Sequence, residues 1–385
     1  MLIYLLLIGG LLVGAALTYF STYEIIRWAI CYDVVDHPRC DRFHSESTAL
    51  MGGVGIYGSI LLTLLIFNKL EWPGALLLLL STGLTVWAVF HQLRKVFVLF
   101  VIVGMVGLFA LVWYYKPLIG TNMIWIFIGA LPLFLSGLWD DGIKELSPLF
   151  KLGIQIFAAI ILTFSGSTIS FLGPPWNYLF TVIWLVCLVN AFNLIDNMNG
   201  LSTGVAATSA LFFGLISLYN GQIYLGAVCF IITGALLGFL PHNYPQARIF
   251  MGDCGSQVLG FILGGIAVVG NWKTSSIGLS VSIPILVLAY PVFDVVLVVI
   301  NRILDKRPIW VGGKDHSSHR LVKLGLRPVD AVFFLYFVTF YTGFSAFFLT
   351  MIDFKQALKM LVFILGILLV LGIRLSRVEI NETSY

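Results

Sequence analysis

Charge is what this sequence has least of. Lys, Arg, Asp and Glu make up 10% of its 385 residues, and 59% are hydrophobic. An average soluble domain is about 25% charged. With a mean hydropathy of +1.00, a soluble globule is excluded and a polytopic membrane protein remains. Alternating apolar and polar runs are also missing, which argues against a membrane β-barrel. Continuous apolar runs are present instead, and a helix satisfies its own backbone in lipid. The five cysteines are odd in number and fit no zinc spacing, so a disulfide framework and a structural zinc are not expected. There is no fixed-period repeat, no low-complexity segment and no soluble domain. The first apolar run has no basic leader, so Leu2 to Phe20 is read as a retained helix with its N-terminus outside.

Thirteen apolar runs are present, against the ~20 residues that one span needs. They are 2–20, 51–67, 74–90, 96–115, 121–138, 152–164, 176–189, 201–219, 223–240, 256–269, 277–300, 329–351 and 358–373. The expected fold is a single all-α domain over 1–385 with about 11–13 transmembrane helices. Alternating sides along this order leaves only Lys69, Lys116, Lys273, Lys355 and Lys359 on one face. The rest of the 22 Lys and Arg lie on the other. The basic face is cytoplasmic by the positive-inside rule, and so is the C-terminus. The net charge of +4 thus serves topology, and no nucleic-acid partner is expected.

Asp140, Asp141, Asp196, Asp253, Asp305 and Asp315 fall on that same face. Carboxylates contribute little to topology, so their gathering needs another cause. Asp140 and Asp141 close the run that ends at Leu138. Adjacent carboxylates repel, and both stay ionised only beside a cation, a base or water. A hydrated capping loop and a site for a metal-bound diphosphate both fit this pair; Lys144 and Lys151 would add positive charge. A second stretch places Asn190, Asn193 and Asp196 on one helix face, as a substrate stripe or as interhelical amide bonding. A third, Phe250-Met251-Gly252-Asp253-Cys254-Gly255-Ser256, sets an aspartate between glycines at a helix start. That suits close approach of a phosphate or an ordinary cap. A fourth is basic: Arg302, then Lys314-Asp315-His316-Ser317-Ser318-His319-Arg320. It is a phosphate-binding loop or a positive-inside loop. Asp294 lies inside the run 277–300, as a functional acid or as a buried helix-to-helix bond.

In this order the motifs resemble the polyprenyl-phosphate N-acetylhexosamine-1-phosphate transferases. Asp36-x-Pro38, His44 and Gly52-Gly53 extend the match, which runs from Asp36 to Arg320. The resemblance implies transfer of a sugar-1-phosphate, most readily GlcNAc-1-phosphate, from a UDP-N-acetylhexosamine to a polyprenyl phosphate. UMP would leave, and Mg²⁺ or Mn²⁺ would be required. It implies an inner-membrane enzyme whose site faces the cytoplasm, surrounded by membrane lipids, and it leaves a homodimer open. Asp140, Asp141 and Asp196 are the candidate catalytic residues, and Asp253 with Asp141 the candidate metal ligands. Candidate substrate-binding residues are Lys151, Asn190, Asn193, Phe250, Arg302, His316, His319 and Arg320. The chain departs from the pattern in three places. Asp196-Asn197-Met198-Asn199-Gly200 stands for Asp-Gly-x-Asp-Gly. Ser318 replaces a histidine of His-x-His-His. An extra helical hairpin is expected at about 74–115. Direct attack by the lipid phosphate and a covalent aspartyl intermediate both remain open. The alternatives are the phospho-MurNAc-pentapeptide transferase, a transporter or lipid flippase, and an inactive scaffold.

Overall fold

A computed structural model describes residues 2–37, 47–68, 83, 86–87, 123–143, 145–274, 276–308 and 313–378. Eleven of the thirteen apolar runs fall on its helices. The other two, and with them the expected hairpin at 74–115, lie almost wholly outside the described residues, as do Pro38, His44 and Lys144. In chain order the elements are α1 (Leu2–Cys31), β1 (Val35–Asp36), β2 (Thr48–Ala49) and α2 (Gly52–Asn68). Then come α3 (Met123–Gly142), α4 (Pro148–Phe164), α5 (Trp176–Ile195), α6 (Leu201–Tyr219) and α7 (Ile223–Asn243). The last are α8 (Asp253–Val269), α9 (Ile277–Val287), α10 (Ala289–Leu304), α11 (Ser317–Lys323), α12 (Pro328–Leu349) and α13 (Phe354–Ser376).

The protein is an all-α, multi-pass membrane protein. Among the described residues, α3, α5, α6, α7, α12 and α13 are long and apolar enough to cross a bilayer. Helices α2, α4 and α8 are apolar but shorter. The run 277–300, expected as one span, is instead broken: α9 and α10 meet at Leu288 with a bend of 80°. Pro291 in the first turn of α10 explains the break, because it lacks an N–H and crowds the turn before it. The carbonyl of Val287 is satisfied by the Ser209 hydroxyl at 3.0 Å.

Helix α8 is the hub. Cys254 to Ala267 are buried without interruption, and the helix packs on α2, α3, α5 and α6. Helices α12 and α13 lie outside. The aromatic row Phe333, Phe337, Phe340, Phe344 and Phe348 on α12 is exposed, as suits a face toward lipid. Helix α1 lies close against α7. A side chain at Gly234 or Gly238 would sit 2.1 Å from the carbonyls of Leu11 or Ala15, the small-residue contact that lets membrane helices pack without a hydrophobic drive.

One small sheet was not expected. β1 and β2 pair antiparallel, Val35 with Ala49 and Asp36 with Thr48. The strand end then docks on the segment before α8. The Phe250 N–H donates to the Ala49 carbonyl at 2.8 Å. The Gly52 and Gly53 N–H groups donate to the carbonyls of Phe250 and Met251, each at 2.9 Å. The loop after α1 therefore helps to fix the residues that lead into Asp253.

Candidate active site

The C-terminal end of α3, the start of α4, the C-terminal end of α5 and the start of α8 converge at one end of the bundle. Ser147 caps α4 by accepting from the Phe150 N–H, with Pro148 in the first turn. That is the position where a proline's missing N–H costs nothing. The cap aims Lys151, one turn later, back at α3. Its ammonium lies 2.8 Å from Asp140 Oδ2 and 2.7 Å from Asp253 Oδ2. The other Asp140 oxygen accepts from the Leu146 N–H at 2.6 Å. One lysine thus ties two carboxylates that are 113 residues apart in sequence.

Asp141 turns the other way and caps α8. Its Oδ1 accepts from the Asp253 N–H at 2.9 Å and its Oδ2 from the Cys254 N–H at 3.1 Å. A carboxylate at a helix N-terminus meets both free amides and the positive end of the dipole. Gly252 makes this approach possible. Its φ is +75°, and a Cβ there would stand 2.4 Å from Asp141 Oδ2.

Asp253 is held from three sides. Besides Lys151, the Asn193 amide donates to its Oδ1 at 2.8 Å and the Gln257 amide to its Oδ2 at 3.0 Å. Asn193 also donates to the Ser256 hydroxyl at 3.0 Å. Asp140, Asp141 and Asp253 each offer an oxygen, and these oxygens lie within 4.8 Å of one another. Asp196, just past the end of α5, borders the same cavity. No hydrogen bond engages its carboxylate among the described residues. Burial, then the charges of Asp253 and Asp141, push its carboxyl up to about 8.

The cavity has a volume of about 1110 Å³ and opens beside these groups. Phe250, Asn199, Tyr244, Lys314 and His319 lie on its wall. His319 is buried, and burial followed by the charge of His316 pulls its imidazole down to about 4. It is therefore neutral at pH 7. His316 lies deeper. Its Nδ1 donates to Asp294 Oδ2 at 2.7 Å, while Asp294 Oδ1 accepts from the Ser317 N–H at 2.7 Å and from its hydroxyl. Asp294 is thus the buried partner that orients the histidine segment, and the helix-to-helix reading of this acid holds.

Three sequence candidates are engaged elsewhere. Asn190 exchanges amide bonds with Gln155 of α4, at 2.7 and 3.3 Å, which is the interhelical alternative for the upper part of the stripe. Arg302 grips Asp315 through two bonds of 2.8 and 2.7 Å, both side chains buried. Arg320 donates to the carbonyls of Asp315, Leu375 and Val378 at 2.8, 3.0 and 3.1 Å. It satisfies the orphan carbonyls at the end of α13. Both guanidiniums hold the loop and the last helix together, and neither borders the cavity. Gln257 and Ser256 were missed. Gln257 was legible in principle, since it lies one helical turn after Asp253 on the same face.

Comparison with known proteins finds a family model that matches the segment holding these residues. A family model described as glycosyl transferase family 4 matches residues 123–271. That segment holds Asp140, Asp141, Lys151, Asn193, Asp196 and Asp253. The chain is 33% identical over 236 residues to a probable undecaprenyl-phosphate N-acetylglucosaminyl 1-phosphate transferase of Bacillus subtilis, covering 59% of this chain and 65% of that one. It is 26% identical over 355 residues to a decaprenyl-phosphate N-acetylglucosaminephosphotransferase of Mycolicibacterium smegmatis, covering 84% and 77%. It is 36% identical over 162 residues to a phospho-N-acetylmuramoyl-pentapeptide-transferase of Limosilactobacillus fermentum, covering 38% and 50%. The chain thus spans between 50% and 77% of the length of these relatives. The family 4 likeness bears out the resemblance read from the motifs.

Proposed function

We propose that this protein transfers an N-acetylhexosamine-1-phosphate, GlcNAc-1-phosphate in the first place, from a UDP-sugar to a polyprenyl phosphate at the cytoplasmic face of the inner membrane. The observation that carries the reading is the meeting of Asp140, Asp141 and Asp253 within 4.8 Å, beside Asp196 and a large cavity at the ends of membrane helices. Four carboxyl groups gather there, with Lys151 between two of them and Lys314 on the cavity wall. That concentration of carboxyl oxygens fits a hard divalent cation with oxygen ligands, Mg²⁺ or Mn²⁺, whose charge would favour the ionised form of an acid such as Asp196 that burial and its neighbours otherwise keep protonated. Asp140, Asp141 and Asp253 offer oxygens close enough together to hold it, and Asp196 borders the same cavity. Once bound, such a cation neutralises charge on a diphosphate.

The chain's own residues supply the positioning on which phosphoryl transfer mainly depends. An oxygen of the lipid phosphate attacks the phosphorus that bears the sugar. A new P–O bond forms there, the bond to the bridging oxygen breaks, and that oxygen leaves on UMP. Lys151 screens Asp140 and Asp253, so an anionic acceptor can approach them. Asn193 and Gln257 fix the rotamer of Asp253. Asp196, whose carboxylate accepts no hydrogen bond among the described residues, is the group that changes partners as substrate enters. Phe250 offers a flat apolar face on the cavity wall, and Lys314 and His319 border the route of the donor.

The reading is tested by UMP release from several UDP-sugars, with and without polyprenyl phosphate and Mg²⁺. Release that needs all three components, and is lost in Asp253→Asn, supports it. Undiminished turnover in a folded Asp253→Asn protein argues against it. Flux of an intact lipid or solute through proteoliposomes without UMP release would favour a transporter instead.

A further inference from the structure

Asn197 and Ser318 stand where the resembling pattern has a glycine and a histidine. They are 121 residues apart in sequence, and they touch: the Ser318 hydroxyl lies 2.8 Å from Asn197 Oδ1. The polarity of this contact is determined. The Asn197 Nδ2 lies 2.7 Å from the Leu194 carbonyl at the end of α5. A carbonyl only accepts, so the NH₂ must face it and Oδ1 must face Ser318. An amide oxygen only accepts as well, so the single hydroxyl proton of Ser318 points at Asn197. Ser318 is fully buried, which leaves no solvent to reorder it.

Ser318 Oγ has one further neighbour, His319 Nδ1 at 3.4 Å. With its proton committed, Oγ can only accept there. Nδ1 must then carry a hydrogen, and in a neutral imidazole Nε2 is left bare. We propose that Asn197 and Ser318 form a positioning pair that fixes His319 as the Nδ1–H tautomer and directs an unprotonated Nε2 as its accepting nitrogen. The pair also links the turn after α5, which carries Asp196, to α11, which carries His319. Both residues border the cavity. The use of that lone pair in turnover rests on the transferase reading; the tautomer itself does not.

The test uses the full-length protein labelled with ¹⁵N-histidine, without substrate, with His319→Asn to assign the signal. Wild type should show a pyrrole-type Nδ1 and a pyridine-type Nε2. Ser318→Thr keeps the hydroxyl and should keep that pattern. Asn197→Gly frees the Ser318 proton to turn toward His319, so the tautomer should invert to Nε2–H. Ser318→Ala should give a mixture of the two forms. Thermal unfolding of Asn197→Gly, Ser318→Ala and the double variant should be non-additive, the second change costing less once the first is made. An Nε2–H wild type, an unchanged spectrum in folded Asn197→Gly, or additive unfolding shifts would overturn the proposal. If Ser318→Ala does not fold, Asn197→Gly and Ser318→Thr decide by their spectra. A silent UMP assay beside the expected spectra would sink the transferase reading and leave the pair standing.

Discussion

Replacing Asp141 and Asp196 in turn by asparagine should separate two carboxylates that share one cavity. Asp141 holds two backbone amides, at 2.9 and 3.1 Å, at the start of the most buried helix. A hydrogen bond to a charged group contributes about 1.5–3 kcal/mol. Asparagine keeps one bond through its oxygen and turns an NH₂ against the other donor. Asp141→Asn should therefore lose about 2–4 kcal/mol, from one charged bond and one amide left facing another donor. Asp196 has no such partners among the described residues. Its carboxyl is higher in the fold, at about 8, than the ordinary 3.8. The folded state thus binds the proton more tightly, ionisation weakens the fold, and stability falls as pH rises from about 4 toward 8. Burial, then the charge of Asp253, also raises the Asp141 carboxyl, to about 7, so Asp196→Asn should reduce that slope rather than abolish it, and should melt at or above wild type at pH 8 in chelator. Both variants should be inactive. The assay is thermal unfolding in detergent, with EDTA, between pH 5 and 8.5. Wild-type stability in Asp141→Asn, or a loss in Asp196→Asn equal to that of Asp141→Asn, would refute the division of roles.

Other outcomes follow from the same contacts. Gly252→Ala should cost at least about 1–3 kcal/mol, because φ +75° with ψ 175° is a backbone region that essentially only glycine adopts, and should lower turnover further because the methyl displaces Asp141; melting and UMP release measure the two. Gln257→Leu should fold, and reduce kcat about tenfold or more with little change in donor KM, since it touches Asp253 and not the cavity. Arg302→Lys should lower stability by a few kcal/mol, through loss of the paired grip on buried Asp315, while leaving donor KM unchanged. Lys151→Gln should bind Mn²⁺ more tightly than wild type, because a competing cation has been removed, yet turn over more slowly; a weaker Mn²⁺ affinity would contradict its placement between Asp140 and Asp253.

Residues that act by local pattern were readable from the chain alone. Aspartates next to a span end, an asparagine three residues before another acid, and a glycine-flanked aspartate at a helix start each carry their signal within a few positions. Their convergence follows because alternate loops of a helical bundle return to one face. The partners of long side chains were not readable. Asn190 and Asn193 look alike on one stripe, yet Asn190 meets Gln155 and Asn193 meets Asp253. The rotation of α5 against α4 and α8 decides which is which, and that rotation is set by packing. Arg302 and Arg320 have the composition of phosphate ligands. Asp315 claims Arg302 across thirteen residues, and the carbonyls at the end of α13 claim Arg320 through a fold-back of more than fifty. The break at Leu288 was hidden because a run of apolar residues reads the same straight or bent, and only Pro284 and Pro291 hint at it. Asp141 had two open roles, and the capping role is visible in the bonds it makes.

The central claim is that these distant carboxylates serve one divalent cation. Electron paramagnetic resonance of Mn²⁺ titrated into the purified protein with UDP-GlcNAc present measures it directly. The account predicts one saturable site per chain, abolished in Asp253→Asn and weakened in Asp196→Asn. Equal Mn²⁺ binding in wild type and Asp253→Asn, or none in wild type, would contradict it.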